Sequence, residues 1–182
     1  MSGDLKIRDD RMIHKIIFFV IFLFAVCACR NNPEINTGTP PGKSEMEDLN
    51  IYLVRKDKER IQNYIERRNL QMVESPTGLW FQIIKEGEGP TFRENDKVIF
   101  TYECSLLDGT RCYSSEDQGP KEIILGRSEM EAGLNEGLRM LRPGAEAILI
   151  MPPYLAHGFL GDRKKIPSRA VVVYHINILP SR

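Results

Sequence analysis

Hydrophobic and polar positions change their rhythm along the 182-residue chain, and each change marks an element. Residues 16–26 carry no polar side chain and follow Lys6, Arg8, Arg11 and Lys15. That run of roughly eleven residues is short of the about 20 that a membrane-spanning helix needs. A cationic flank before a short apolar run predicts a secretory signal. Residues 30–44 lose apolar periodicity and hold Pro33, Pro40 and Pro41, the composition of a flexible tether with a reach of about 20 Å. Residues 45–68 then run without Gly or Pro. Leu49, Leu53, Val54, Ile61, Tyr64 and Ile65 recur at helical spacings, predicting one amphipathic helix. Six charged residues fill 55–60, so the middle of that helix reads as solvated and its share of any core as small. Two readings stand: a spacer packing one side on the next domain, or a dimerisation helix.

Past Ser75-Pro76-Thr77-Gly78 the period shortens to two. Strands are expected over 79–85, 97–107, 110–114, 122–125, 145–151 and 170–179. Asp108-Gly109 marks a hairpin between the second and third. Residues 129–141 form the only helix expected here, with Met130, Leu134, Leu138 and Leu141 on one face. The fold class that follows is α+β: a curled antiparallel sheet wrapped on one short helix, preceded by a separate amphipathic helix. The divisions are 1–28 (signal), 29–44 (tether), 45–74 (helix and connection) and 75–182 (sheet domain).

Charge changes the picture by exclusion. Twenty-five basic residues balance twenty-five acidic ones, and a nucleic-acid surface needs a basic excess. Cysteine adds two features. Ala28 before Cys29 resembles a bacterial lipobox, which implies diacylglyceryl attachment to Cys29, cleavage before it and a membrane partner through the lipid. The expected site is the cell envelope, on the outer membrane facing the periplasm. Ordinary signal cleavage with free cysteines is the alternative. Cys104 and Cys112 flank the hairpin turn. A three-residue loop sets them opposite one another, and a two-residue loop turns them to opposite faces. A disulfide and two free thiols both remain open.

Several segments, in order, resemble the FKBP family of peptidyl-prolyl cis-trans isomerases. They are Gly87-Glu88-Gly89-Pro90; Val98-Ile99-Phe100-Thr101-Tyr102; Leu106-Leu107-Asp108-Gly109-Thr110; Ile124-Leu125-Gly126; Gly133-Leu134-Asn135-Glu136-Gly137-Leu138; Pro152-Pro153-Tyr154-Leu155-Ala156-His157-Gly158; and Ile166-Pro167. The likeness covers roughly residues 77–179. With its lipobox, tether and short helix, the chain is also similar to FKBP-like lipoproteins of the Bacteroidetes, including gliding-motility-associated ones.

The resemblance implies rotamase chemistry on proline-containing polypeptide clients, with no metal and no cofactor. An X-Pro amide rotates over a barrier of about 18–20 kcal/mol. A dry apolar pocket favours the twisted amide, which has lost its charge separation. Carried over by position, the catalytic residues are Tyr102, His157 and Tyr174. The substrate-binding residues are Cys112, Tyr113, Ile123, Met130, Glu131, Leu134 and Ile166. For Glu131 the implied donor is its backbone N–H. The family has Phe, Asp, Trp and Tyr where this chain has Cys112, Tyr113, Leu134 and His157. Leu134 therefore predicts a deeper hollow, with Tyr113 and Phe159 as candidate replacement rings. His157 keeps a donor through its imidazole N–H. Three functions follow: an isomerase assisting folding outside the cytoplasm, a weakly or non-catalytic proline-peptide-binding chaperone module, or a structural lipoprotein of an envelope motility or secretion machine.

Overall fold

Alternation along two strands builds the centre of the molecule. The computed structural model describes residues 42–180. In β3 (Lys97–Leu106), Val98, Phe100 and Cys104 are buried on one face. In β7 (Val172–Ile178), Val172, Tyr174, Ile176 and Ile178 face the same core. The two pair antiparallel from Phe100↔Ile178 to Leu106↔Val172. β6 (Glu146–Met151) joins the other side of β7, followed by β2 (Trp80–Lys85) and the short β1 (Val73–Glu74). The far edge is divided. β4 (Arg111–Ser114) pairs with one end of β3 and β5 (Lys121–Ile124) with the other. Every pairing is antiparallel, and the sheet is not closed into a barrel.

Between β4 and β5 the edge strand breaks for one helical turn, α2 (Ser115–Gln118), which the sequence reading did not foresee. Ser114 caps it by accepting the Glu116 amide. The interruption leaves the Tyr102 amide of β3 without a strand partner on that side, and Ser115 Oγ accepts it at 2.9 Å.

α3 (Ala132–Met140) lies on the concave face with Gly133, Leu134, Gly137 and Leu138 buried. It begins later than expected: Met130 and Glu131 belong to the approach, not to the helix. Two glycines let it come close to β6. A Cβ on Gly137 would meet Leu149 Cδ1 at 2.3 Å, and one on Gly133 would meet Met151 Sδ at 2.6 Å. A further helical turn (Pro153–Leu155) follows β6, so 129–141 is not the only helical segment of this region.

α1 (Lys43–Arg68) packs on the opposite face. Ile61 and Tyr64 are buried against Ile148, Ile150, Val171 and Val173, with Trp80, Ile65 and Met72 at the margin. This is the arrangement of a spacer helix docked on the sheet. The expectation that its charged middle adds little needs correction. Asp57, inside the charged run, is buried and bonded to Arg169 at 2.7 Å. Leu49 and Val54 of the expected apolar stripe are exposed. A distant partner, not local spacing, selects the packed face. The expected signal, tether and Cys29 lie outside the described residues.

Candidate functional site

The candidate site lies where β3, β7 and the start of α3 meet. Tyr102 on β3 and Tyr174 on β7 are diagonal neighbours across the pairing, because Tyr102 sits opposite Ile176 and Cys104 opposite Tyr174. Their rings lie 5.9 Å apart at 29°, and Phe100 approaches Tyr102 at 6.0 Å. Such offset aromatic pairs form a rigid apolar wall. Burial pushes the Tyr102 and Tyr174 hydroxyls above the usual phenol range, so both remain donors. Tyr102 donates to Gln118 of α2 at 2.8 Å.

Tyr174 donates to Glu131 Oε1 at 2.9 Å. The same oxygen lies 3.0 Å from His157 Nε2. Nε2 is nevertheless buried and makes no hydrogen bond, because it is close to the carboxylate but not aligned with it. Glu131 thus turns its side chain inward while standing in extended backbone before α3, where its carbonyl accepts the Asn135 amide. Its own amide donates to no acceptor among the described residues.

The ten residues carried over from the resemblance lie in or beside the main core cluster. Cys112, Ile123, Leu134, Ile166 and Tyr174 belong to one buried cluster, and Tyr102, Tyr113 and Met130 pack on it half-buried. Glu131 and His157 join it through the Tyr174 hydroxyl and the shared carboxylate. Two details differ from expectation. Leu134 is 0% exposed and Cys112 1%, so no solvent-filled hollow opens where the family's large rings stand. The close approach of α3 at Gly133 and Gly137 accounts for this, since it draws Leu134 into the sheet core. Phe159 is 62% exposed and lies beneath the Arg169 guanidinium, 5.2 Å from its ring centre. It replaces no ring in the cleft.

Tyr113 does reach the site's edge, and its partner was not legible in the sequence. Its hydroxyl donates to Asp162. Asp162 also accepts the Lys164 and Ile166 amides at 2.8 Å each. One carboxylate therefore folds the loop after β6 back on itself and ties it to β4. Burial alone would raise the Asp162 carboxyl, but those three donors hold it down at about 2. The same bond, with burial, pushes Tyr113 up to about 12. Lys165 lies over the Tyr113 ring at 5.3 Å.

Cys104 and Cys112 are free thiols, both buried. The hairpin carries a bulge: Cys104 pairs with Tyr113 and Ser105 with Arg111, which leaves Cys112 unpaired and turned inward. Burial pushes Cys104 up to about 12 and also raises Cys112. Neither is an activated nucleophile. Among the described residues no group of His, Cys, Asp and Glu is placed to hold a metal ion, and no helix is long and apolar enough to cross a membrane.

Comparison with known proteins gives the same placement. Residues 89–179 match the model of the family described as FKBP-type peptidyl-prolyl cis-trans isomerase. Over 90 residues the chain is 41% identical to the peptidyl-prolyl cis-trans isomerase FKBP10 of Mus musculus, covering 49% of this chain and 15% of that one. It is 27% identical over 124 residues to the FKBP-type peptidyl-prolyl cis-trans isomerase FkpA of Escherichia coli, covering 68% and 44%. The chain thus spans less than half the length of either relative. Among solved structures, FkpA from Escherichia coli superposes with a TM-score of 0.58 at 23% identity, over 77% of this chain and 73% of that one. AtFKBP13 gives 0.58 at 27% identity, over 62% and 99%. With half of the chain matched by the family model and the fold superposing on members of it, the chain belongs to the FKBP-type peptidyl-prolyl cis-trans isomerase family.

Proposed function

We propose that this protein catalyses cis-trans isomerisation of X-Pro bonds in polypeptide clients, held by a lipid at Cys29 to the outer membrane and working on proteins that fold outside the cytoplasm. The observation that carries the catalytic part is the Tyr102–Tyr174 ring pair beside an unpaired Glu131 amide. The rings, with Met130, grip the proline, and the Glu131 amide takes a client carbonyl. His157 closes the rim; because Nε2 is sealed against Glu131, the imidazole turns before it donates to a client. No bond is made or broken in this chemistry. The site works by binding the twisted, less polar amide better than the planar one.

A second reading has its own observation. Leu134, Cys112, Ile123 and Ile166 are each at most 3% exposed. They support the walls without touching a client, so the cleft is shallower than one floored by a large ring. Fewer apolar contacts to the twisted amide favour client binding with slow turnover. Exchange NMR on an X-Pro peptide separates the two. Enhanced cis-trans exchange, reduced by Tyr102→Ala, supports the isomerase. Saturable binding without enhanced exchange supports the binding module. The anchor is read by intact mass, since a mature chain beginning at Cys29 without acyl groups overturns it. The likeness to motility-associated lipoproteins rests in part on the segment before Gly42, outside the described residues.

A further inference from the structure

Asp57 is a buried carboxylate that the cleft chemistry does not use. Its side chain is 5% exposed, on a helix that packs on the far side of the sheet from the cleft. An ion taken out of water is retained only where its partners hold it well. Its main partner is Arg169, whose NH2 lies 2.7 Å from Oδ2, while Arg60 reaches Oδ1 at 3.4 Å.

Arg169 stands in the returning limb of the loop whose outgoing limb carries His157. The Arg169 amide donates to the Gly158 carbonyl at 3.1 Å, one residue past His157. Its guanidinium covers Phe159, and Ser168 Oγ donates to the Phe159 carbonyl. The two limbs are thus clasped beside His157. Arg169 also adopts φ 55°, a left-handed conformation that a non-glycine residue keeps only when its surroundings hold it there. Those surroundings are sparse. A groove of about 250 Å³ separates the N-terminal half of α1 from the loop, lined by Leu53, Val54, Tyr154 and Phe159. Apolar contact between α1 and this limb resumes only at Ile61, against Val171, so at the level of Gly158 and Phe159 the ion pair is the tie between helix and loop.

We infer that Asp57 is a positioning residue for the cleft: through Arg169 it clasps the loop that holds His157 beside Glu131, and so makes α1 part of the active-site framework. Asp162 secures the loop's far end to β4 through Tyr113, and Asp57 secures its near end to α1. This inference rests on the proposed isomerase reading.

The test uses the full chain and a peptide with one X-Pro bond. Asp57→Asn keeps the size and removes the charge. Misplacing a contact group by about 1 Å costs on the order of a hundredfold, so kcat/KM is expected to fall roughly ten- to hundredfold, mostly in kcat. The deciding measurement places Asp57→Asn in a His157→Ala background. Because Asp57 acts through His157, it then lowers kcat/KM no further; an undiminished fall overturns the inference. If Asp57→Asn does not fold, Arg169→Lys is read by the same criterion. The histidine ring signals give an independent readout. Asp57→Asn should shift those of His157 and leave His175 in place, and an unmoved His157 overturns the inference. A parent chain without turnover counts against the proposed function alone, and the ring signals then decide whether Asp57 positions the loop.

Discussion

Tyr174 and Glu131 face each other across the cleft, the phenol hydrogen donated to the carboxylate at 2.9 Å. Both groups are largely sealed from water, and the carboxylate also stands beside His157. Tyr174→Phe removes the donor and leaves the Glu131 carboxylate short of a partner. A hydrogen bond to a charged group is worth about 1.5–3 kcal/mol. Unfolding by denaturant should show a loss of that size. Glu131→Gln keeps an acceptor for the tyrosine and should cost less than Tyr174→Phe. Equal stability of parent and Tyr174→Phe would show that the contact contributes nothing.

The docked helix changes what truncation should do. Ile61 is 1% exposed and Tyr64 4%, both against strand residues of β6 and β7. Removing residues 1–68 uncovers Ile148, Ile150, Val171 and Val173 to water. The charged run by itself suggested a dispensable helix, but the structure predicts a truncated protein that is destabilised and prone to aggregate. Ile61→Ala alone should cost about 2–5 kcal/mol, measured by denaturant midpoint at unchanged slope. A truncated domain that melts at the parent temperature would overturn this.

Tyr113 and Asp162 set a pH window for the loop. Asp162 is held at about 2, below the ordinary aspartate value of about 3.9. Its contribution to stability is present above about pH 4 and is lost as pH falls towards 2. Tyr113 is pushed up to about 12 from about 10. Its contribution is present below about pH 10 and lost as pH rises towards 12. The stability difference between the parent and Asp162→Asn should therefore be largest between about pH 5 and 9. A difference that stays constant from pH 2 to 12 would show that the contact is not formed.

Leu134→Trp tests whether the missing floor ring leaves room. Residue types alone suggested a hollow that a tryptophan would fill, raising activity. Leu134 is 0% exposed, and α3 lies close against Leu149 and Met151 at its two glycines. Overpacking such a site typically costs about 1–3 kcal/mol. The expected result is a lower melting temperature with no gain in exchange rate. A rise in rate at unchanged stability would show that the hollow exists after all.

Local rhythm was enough for six of the seven strands, and the two-residue β1 was not legible in it. The alternation of Val98, Phe100 and Tyr102, the apolar run over 147–151 in β6, the Asp108-Gly109 turn and the spacing of Leu134 and Leu138 each depend on neighbours a few positions away. The strand period is written there. The convergence of Tyr102, Glu131, His157 and Tyr174 followed from the family resemblance.

Tertiary structure decided where buried charge goes. Asp57 belongs to a run that reads as solvated, and its partner Arg169 is 112 positions away. The resemblance singles out the Glu131 backbone amide, yet its carboxylate accepts from Tyr174 and stands 3.0 Å from His157. Tyr113 was read as a replacement ring, and its hydroxyl organises a loop through Asp162. Apolar side chains gain from any dry neighbour, so periodicity forecasts their burial within the strands and α3, though not at Leu49 and Val54 of α1. A buried carboxylate needs one particular donor at one distance. Which donor arrives depends on how α1, the hairpin and the loop after β6 pack together, which no local pattern specifies.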